Sequence, residues 1–340
     1  MIASRQTVFV SAVVFTVAAM LYSCKEKYFP ELKEANINYL VVEGLINTGT
    51  DSTIYTLTRT YKLDGKAVTA PERNALVQVE SNGGEVYQLS ALLKPGRYGR
   101  PSFGADPTKK YRLRIVTANK REYLSDFVES KTSQPFDFKY DFDNEALNFH
   151  ITTHDPSGKS IYYQHSFVET WEYETLLNRR GPYGRCWHVV PSPNILLSST
   201  ANLSEDRIND KLILSVPGLS PKLDVEYSVL IRQTALTREG FDFFETLRKN
   251  TEAVGTIFDA QPSQLPGNIR CITNPAEPVV GFISSGTVTE KRFLIQLADL
   301  PTKWFSIPDA SECTEPPNPP PFCTDCRVQG GTIQMPSYWK

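Results

Sequence analysis

Residues 39–61, YLVVEGLINTGTDSTIYTLTRTY, decide the fold class of this chain. The runs Tyr39–Ile46 and Thr53–Tyr61 are rich in the β-branched and aromatic residues that strands favour. The turn-forming residues NTG at 47–49 separate the two runs. This stretch therefore predicts two successive β-strands joined by a turn.

Runs of the same kind recur as far as residue 130. Further strands are predicted at Ala75–Glu80, Val86–Leu89 and Tyr111–Thr117. The residues NGG at 82–84 lie between two alternating runs and are a hairpin signal. Strands that recur at roughly ten-residue spacing are typical of sandwiches and barrels. We therefore predict a mainly β protein that begins with an immunoglobulin-like β-sandwich over residues 37–130.

A second β-rich domain is predicted over residues 131–307, after the linker-like segment SKTSQP at 130–135. Its strands are predicted at Ala146–Thr153, Ile161–Tyr173, Ile195–Ser199, Leu212–Val216, Glu226–Gln233, Val279–Ser284 and Arg292–Leu297. One helix is expected near 238–250, where Thr237 can cap the first turn and phenylalanines form an apolar face. Residues 308–340 are rich in proline and cysteine, so we predict an irregular tail.

Composition limits the classes of partner. The chain of 340 residues carries 36 basic and 38 acidic side chains, a formal net charge of −2. No basic field is present to hold a phosphate backbone, so we expect no nucleic-acid partner. Aromatic residues make up 11% of the chain and prolines number 24, which is typical of a β-rich protein outside the cytoplasm.

The N-terminus resembles a bacterial lipoprotein signal. Arg5 precedes an apolar run of 15 residues, 8–22, which is the length of a signal-peptide core and short for a membrane-spanning helix. The residues LYSC at 21–24 match a lipobox, and the charged residues KEK follow at once. We therefore predict a signal peptide over 1–23, lipidation of Cys24 and a tether over 24–36. The alternative, an uncleaved anchor helix, would be of marginal length.

Five cysteines remain besides Cys24. They are Cys186, Cys271, Cys313, Cys323 and Cys326. The spacing CTDC at 323–326 follows a proline run, which is a poor context for a thioredoxin-type site, and four thiolates could instead hold zinc. Disulfides are the default in an exported protein, so we predict at least one that joins the tail cysteines to each other or to the second domain. The odd number leaves at least one thiol free or paired between chains, and the sequence does not determine which cysteines pair with each other.

No catalytic site can be assigned from the sequence. The nucleophile elbow, the P-loop, the zinc-protease HExxH motif and the dinucleotide glycine motif are all absent. His150 and His154 have the spacing of a helical metal site, but they lie in an alternating, strand-like run that would hold them about 13 Å apart. We therefore expect a non-enzymatic protein with no cofactor, no metal and two surface histidines.

The loop Asn178–His188, NRRGPYGRCWH, is the best candidate for contact with a ligand or partner. Its candidate contact residues are Arg179, Arg180, Tyr183 and Trp187. The alternative is that Trp187 packs in the core and Cys186 forms a crosslink. A separate hypothesis concerns Ser52 in the triplet DST at 51–53, which resembles the O-glycosylation motif of exported Bacteroidota proteins.

Several stretches together resemble the Bacteroidota lipoprotein family known as domain of unknown function 4249. They are LVVEG (40–44), PGRY (95–98), EGFDFFETLRKN (239–250), DAQPSQLPGNI (259–269), VGF (280–282) and CTDCRVQGGTIQMPSYW (323–339). The last of these, with its C-x-D-C-R…G-G-T…P…W pattern, is the most specific.

The resemblance implies a location and a partner. Genes of this family often lie beside TonB-dependent transporters, much as SusD-like lipoproteins accompany SusC-like channels. The chain is thus expected to be a lipid-anchored outer-membrane protein on the cell surface that binds or assists such a transporter. The alternatives are a structural subunit of an outer-membrane assembly or secretion complex and, third, a surface hydrolase.

Overall fold

The computed structural model describes residues 38–63, 66–252, 267–304, 313 and 319–339. The predicted signal peptide, Cys24 and the tether lie outside the described residues. The strands are β1 (Leu40–Asn47), β2 (Thr53–Leu63), β3 (Lys66–Pro71), β4 (Leu76–Ser81), β5 (Val86–Ala91), β6 (Arg97–Arg100), β7 (Lys110–Val116), β8 (Glu122–Ser125), β9 (Val128–Lys131), β10 (Phe136–Asp143), β11 (Ala146–His154), β12 (Tyr162–Glu174), β13 (Arg185–Pro191), β14 (Leu196–Ser199), β15 (Arg207–Pro217), β16 (Glu226–Ala235), β17 (Ile269–Cys271), β18 (Val279–Val280), β19 (Ser284–Gly286) and β20 (Val288–Gln296). The helix α1 spans Arg238–Glu252.

The first sheet contains 12 strands and closes on itself. Ten of its strands follow the order β17-β8-β7-β4-β5-β6-β2-β1-β19-β9, while β3 pairs with β2 and β18 with β1. β9 also pairs with β7, which completes a ring of hydrogen-bonded strands. Large side chains such as Tyr55, Leu57, Leu113 and Tyr123 fill its interior and are fully buried. The sheet thus closes around one core, which removes most open strand edges.

Strands from late in the chain complete this first sheet. β18 and β19 pair in parallel with β1, and β17 pairs antiparallel with β8. The strand pairing of the sheet therefore extends beyond residues 37–130. The predicted domain boundaries at 37–130 and 131–307 stay a prediction.

Two further sheets enclose a second core. One contains β10, β11 and β15, and the other contains β13, β12, β16 and β20 in that order, with β14 also paired to β12. The core between them combines aliphatic side chains with aromatic ones, which include Phe149, Phe167, Tyr227 and Trp304. The central strand β12 has 13 residues and an alternating burial pattern, so each of its faces can support a different layer.

The helix begins where the sequence predicted it. Thr237 precedes α1, and its side-chain hydroxyl accepts a hydrogen bond from the N–H of Gly240 at 3.2 Å. Phe243 is buried and contacts Phe282, with ring centroids 5.4 Å apart. The prediction of a mainly β fold with one helix and a cysteine-containing tail is confirmed. No helix among the described residues is long and apolar enough to cross a membrane.

Candidate binding surface

Two disulfides hold the end of the chain, one of them to β13. Cys186 of β13 is bonded to Cys326, and Cys313 is bonded to Cys323. We call the loop 175–184 together with residues 319–339 the clasp. The prediction that the tail cysteines form disulfides is confirmed, and one bridge runs within the tail while the other reaches β13.

Backbone hydrogen bonds hold the two halves of the clasp together beside the disulfide. The N–H of Leu177 donates to the carbonyl of Cys323 at 3.0 Å, and the N–H of Cys326 donates to the carbonyl of Tyr183 at 2.9 Å. The side-chain amide of Asn178 also donates to a tail carbonyl at 3.0 Å. The loop is therefore fixed at both ends by the tail, which lowers the entropy it would lose on binding.

The end of the tail lies against the sheet through β12. The indole N–H of Trp339 donates to the buried carboxylate of Glu172 at 3.2 Å. The hydroxyls of Tyr338 and Thr170 lie 2.9 Å apart, and the Arg292 guanidinium lies 3.5 Å from the centroid of the Tyr338 ring. These contacts attach the clasp to the second core as well as to β13.

Trp187 takes the position of a core residue. It lies in β13 with 8% of its surface exposed, and it exchanges two backbone hydrogen bonds with Thr332, of 2.8 and 3.0 Å. Its side chain is therefore not available to a partner. The other three predicted contact residues, Arg179, Arg180 and Tyr183, are exposed.

The exposed side chains of the clasp include three arginines and one tyrosine. The side chain of Arg179 is 58% exposed and lies 3.9 Å from Glu174, the outer limit of an ion pair. Arg180 has no ion pair with any described residue. The guanidinium of Arg327 lies 3.6 Å from the centroid of the Tyr183 ring, so the two side chains fix each other's position. This composition is typical of the residues that carry binding energy at protein interfaces.

Arg327 and Asp325 form a local ion pair on this face. Two guanidinium nitrogens of Arg327 donate to the carboxylate of Asp325, the shorter at 2.6 Å. The hydrogen bond from Arg327 holds the pKa of Asp325 below its ordinary value. Arg327 was missed in the sequence because the CTDCR signature gave no indication that it would face Tyr183.

A cleft of about 520 Å³ opens beside the clasp. Tyr173, Arg179, Asp224, Phe322 and Gln329 are among its lining residues. The amide of Gln329 donates to the Tyr173 hydroxyl at 3.1 Å, and burial raises the pKa of Asp224. The walls thus combine aromatic rings with polar groups of both charges.

Cys271 is the unpaired cysteine among the described residues. It is buried in β17, and its sulfur lies 3.4 Å from the hydroxyl of Thr273. It accounts for the odd number of cysteines, and no described group of three or more histidine, cysteine or acidic side chains is placed to hold a metal ion.

The structure also shows where the histidine pair and the candidate glycosylation site lie. His150 and His154 lie on β11, as the strand pattern predicted, and His150 lies 3.2 Å from Asp141. His154 instead contacts the backbone oxygen of Asp206 at 2.6 Å. Ser52 is exposed in the turn between β1 and β2, where its hydroxyl is open to modification.

One serine–histidine pair is present in the core. Nε2 of His165 lies 3.1 Å from the hydroxyl of Ser198, and both residues are buried. Nδ1 of His165 has no hydrogen-bond partner, whereas a catalytic triad needs an acid at that nitrogen. Burial lowers the pKa of His165 to about 3, so the pair joins β12 to β14 as a neutral contact.

The closed first sheet, the two-sheet second core and the disulfide-linked clasp define a mainly β protein. The chain belongs to the family described as Domain of unknown function (DUF4249), whose model matches residues 25–292. The clasp tail lies beyond the matched range. No curated protein matches the chain.

The chain is also similar, at a low level, to one solved structure. Its title is "Complete structure of manganese lipoxygenase of Gaeumannomyces graminis and partial structure of zonadhesin of Komagataella pastoris". The identity is 10%, the match covers 60% of this chain and 91% of that chain, and the TM-score is 0.18. A likeness at this level carries nothing over to the fold or function of the present protein.

Proposed function

We propose that this protein is an outer-membrane lipoprotein that binds a TonB-dependent transporter and assists it from the cell surface, without catalysing a reaction. The clasp is the observation that carries the proposal. It presents exposed arginine and tyrosine side chains on a loop that a disulfide and backbone hydrogen bonds hold in one conformation. Such a preformed surface binds a partner at a low cost in conformational entropy.

The charges of the clasp favour a partner with an acidic and apolar contact region. Arg180 has no ion-pair partner among the described residues, and the carboxylate nearest Arg179 lies at the limit of an ion pair. Leu177 and Val328 are exposed apolar side chains of the same clasp. An acidic loop with one or two apolar residues would satisfy the free arginines and cover these side chains.

The predicted lipid supports the proposed location. Acylation at Cys24 would attach the chain to a membrane, and the tether of about a dozen residues reaches at most roughly 40 Å when fully extended. The folded part therefore stays within reach of the extracellular loops of a neighbouring barrel. The family resemblance described above supports the choice of a transporter as that barrel.

Copurification tests the proposal. The tagged full-length protein is extracted from its native membrane in a mild detergent, and the proteins that come with it are identified by mass spectrometry. We expect a TonB-dependent barrel with a plug domain at near-stoichiometric amounts. A barrel without a plug, together with assembly factors, would overturn this proposal in favour of an assembly or secretion subunit.

Matched variants test the clasp as the docking surface. Arg180→Glu and Tyr183→Ala are expected to reduce the recovered barrel at least about fivefold, because both remove side chains that interfaces favour. Arg73→Glu changes the charge of an exposed arginine in the connection between β3 and β4 and serves as the control. Recovery that falls equally in all three variants, or in none, would contradict docking through the clasp.

A further inference from the structure

A second cleft, of about 500 Å³, opens where the first sheet meets the start of α1. It shares no lining residue with the cleft beside the clasp. Its volume is within the range of small-molecule sites, and such sites occur preferentially at the junctions between packed units. The proposed docking function makes no use of it.

Aromatic rings form one wall of this junction cleft. Phe127 is 38% exposed there, although the Arg112 guanidinium lies over its ring at 4.5 Å from the centroid. Tyr162 and Phe282 also line the cleft, and the Tyr162 ring packs against Phe241 of α1 at 4.9 Å. The rings are therefore held in place by neighbours while part of their apolar surface faces the cleft.

Three lysines supply positive charge to the cleft. Lys110 and Lys131 share one carboxylate, Glu129, at 3.7 and 3.5 Å. Lys159 lines the same cleft, is exposed and has no ion pair with any described residue. Two ammonium groups therefore share the Glu129 carboxylate and the third, that of Lys159, has no carboxylate partner, which leaves positive charge uncompensated.

The remaining acidic groups of the cleft already have partners. Asp126 accepts a hydrogen bond from Arg270 at 2.7 Å. Glu239 is in the first turn of α1, where its own backbone N–H and then the side chain of Thr237 lower its pKa, with a smaller contribution from Lys131. These carboxylates therefore do not neutralise Lys159.

We propose that the junction cleft binds a small organic anion with a flat apolar body. The anionic group would lie among Lys110, Lys131 and Lys159, and the apolar body would cover Phe127, Tyr162 and Phe282. The lysines supply attraction and orientation, and the rings supply apolar contact area.

Calorimetric titration tests this site on the full-length, detergent-purified protein. The probes are naphthalene-2-sulfonate and its neutral analogue naphthalene-2-sulfonamide, each with a detergent blank subtracted. We expect saturable binding of the sulfonate, at least about tenfold tighter than that of the sulfonamide. Phe127→Ser should weaken both probes, whereas Lys159→Glu should weaken only the sulfonate, by tenfold or more.

A second variant with the same change of charge distinguishes a local effect in the cleft from an effect of the protein's net charge. Lys94→Glu replaces an exposed lysine between β5 and β6 and should leave both affinities unchanged. Each variant is first checked for an unchanged thermal unfolding midpoint. Absence of saturable sulfonate binding to the unmodified protein, or an equal loss in Lys94→Glu and Lys159→Glu, would overturn the proposal.

Discussion

Arg59 donates a hydrogen bond from Nη1 to Oε1 of Glu277, a residue 218 positions further along the chain, at 3.0 Å. The same guanidinium donates to the hydroxyl of Tyr123 at 2.7 Å, and that hydroxyl donates to Glu277 at 2.6 Å. The side chains of Arg59 and Glu277 are only 13% and 6% exposed. This shared network joins β2, β8 and the turn after β17 at one point of the first sheet.

Replacement of Glu277 by glutamine is expected to lower the free energy of unfolding by about 2–3 kcal/mol. The change removes one of the two carboxylates that pair with the largely buried Arg59 cation, the other being Glu72, and the loss of a partner from a buried ion-pair network is costly. Equilibrium unfolding in urea measures the effect. Arg73→Ala, at an exposed position, should change the same quantity by less than about 0.5 kcal/mol, and an equally small effect of Glu277→Gln would contradict the assigned role.

His165 should make the protein sensitive to acid. Its folded-state pKa is lowered to about 3 by burial, with a smaller effect from Lys211, so the unfolded chain takes up the proton first. The stability that this group contributes is complete above pH 6.5, its ordinary pKa, and is lost as the pH falls toward 3. We expect the free energy of unfolding to fall by about 2 kcal/mol between pH 7 and pH 5 from this group.

The variant His165→Gln isolates this contribution, because it retains a polar side chain that does not titrate. Urea unfolding midpoints are measured at pH 7 and pH 5 for both proteins. The variant should lose markedly less stability over this interval, whatever its absolute stability. An identical loss in the two proteins would assign the acid sensitivity to other groups.

The pairing of cysteines predicts how many thiols can be modified. Cys271 is buried and free, and the other four described cysteines are in disulfides. Alkylation without reductant should therefore modify no cysteine in the folded protein and one, Cys271, in denaturant, since Cys24 is predicted to carry lipid. Peptide mass spectrometry identifies the site, and three or more alkylated cysteines would show that a bridge is absent.

Loss of the Cys186–Cys326 bridge should loosen the clasp. The double variant Cys186→Ser/Cys326→Ser is expected to lower the free energy of unfolding by about 2–4 kcal/mol, because the bridge closes a long loop. Limited trypsin digestion should then cleave after Arg327 at a rate well above that of the unmodified protein. If the variant resists trypsin as well as the unmodified protein does, the contacts of Tyr338 and Trp339 are enough to hold the clasp in place.

Lipidation of Cys24 predicts the behaviour of Cys24→Ala in cell fractionation. Without the thiol no diacylglyceryl group can be attached, so the protein should move from the membrane pellet to the soluble fraction. Immunoblotting of the two fractions measures the distribution. A variant that remains in the pellet and migrates unchanged would show that something other than the lipid holds the chain at the membrane.

Several elements were predictable from the sequence, among them the four-residue β14, whereas the three-residue β17 was not. The pattern predicted a strand at Ile161–Tyr173 and a helix near 238–250, and the structure has β12 at Tyr162–Glu174 and α1 at Arg238–Glu252. By contrast, β17 has three residues, too few to show a period. Its partner in β8 is about 145 residues earlier, and no local signal encodes such a pairing.

The candidate site was predictable in parts. The loop 178–188 and the tail signature at 323–339 were both singled out, each from its own composition. That Cys186 bonds to Cys326 was not predictable, because five cysteines allow several pairings and spacing does not choose among them. The burial of Trp187 likewise depends on its place in β13, which the sequence left open between a contact and the core.

The parallel pairing of β1 with β18 and β19 imposes an order on biogenesis. A chain delivered N-terminus first presents Leu40–Asn47 long before residues 279–286 emerge to cover that strand's second edge. During this interval the backbone N–H and C=O groups of the edge are open to wrong partners, including other nascent chains. Closure of the first sheet must therefore wait for the last fifth of the polypeptide. A translation product truncated before residue 279 would keep this edge of β1 unpaired and prone to aggregation.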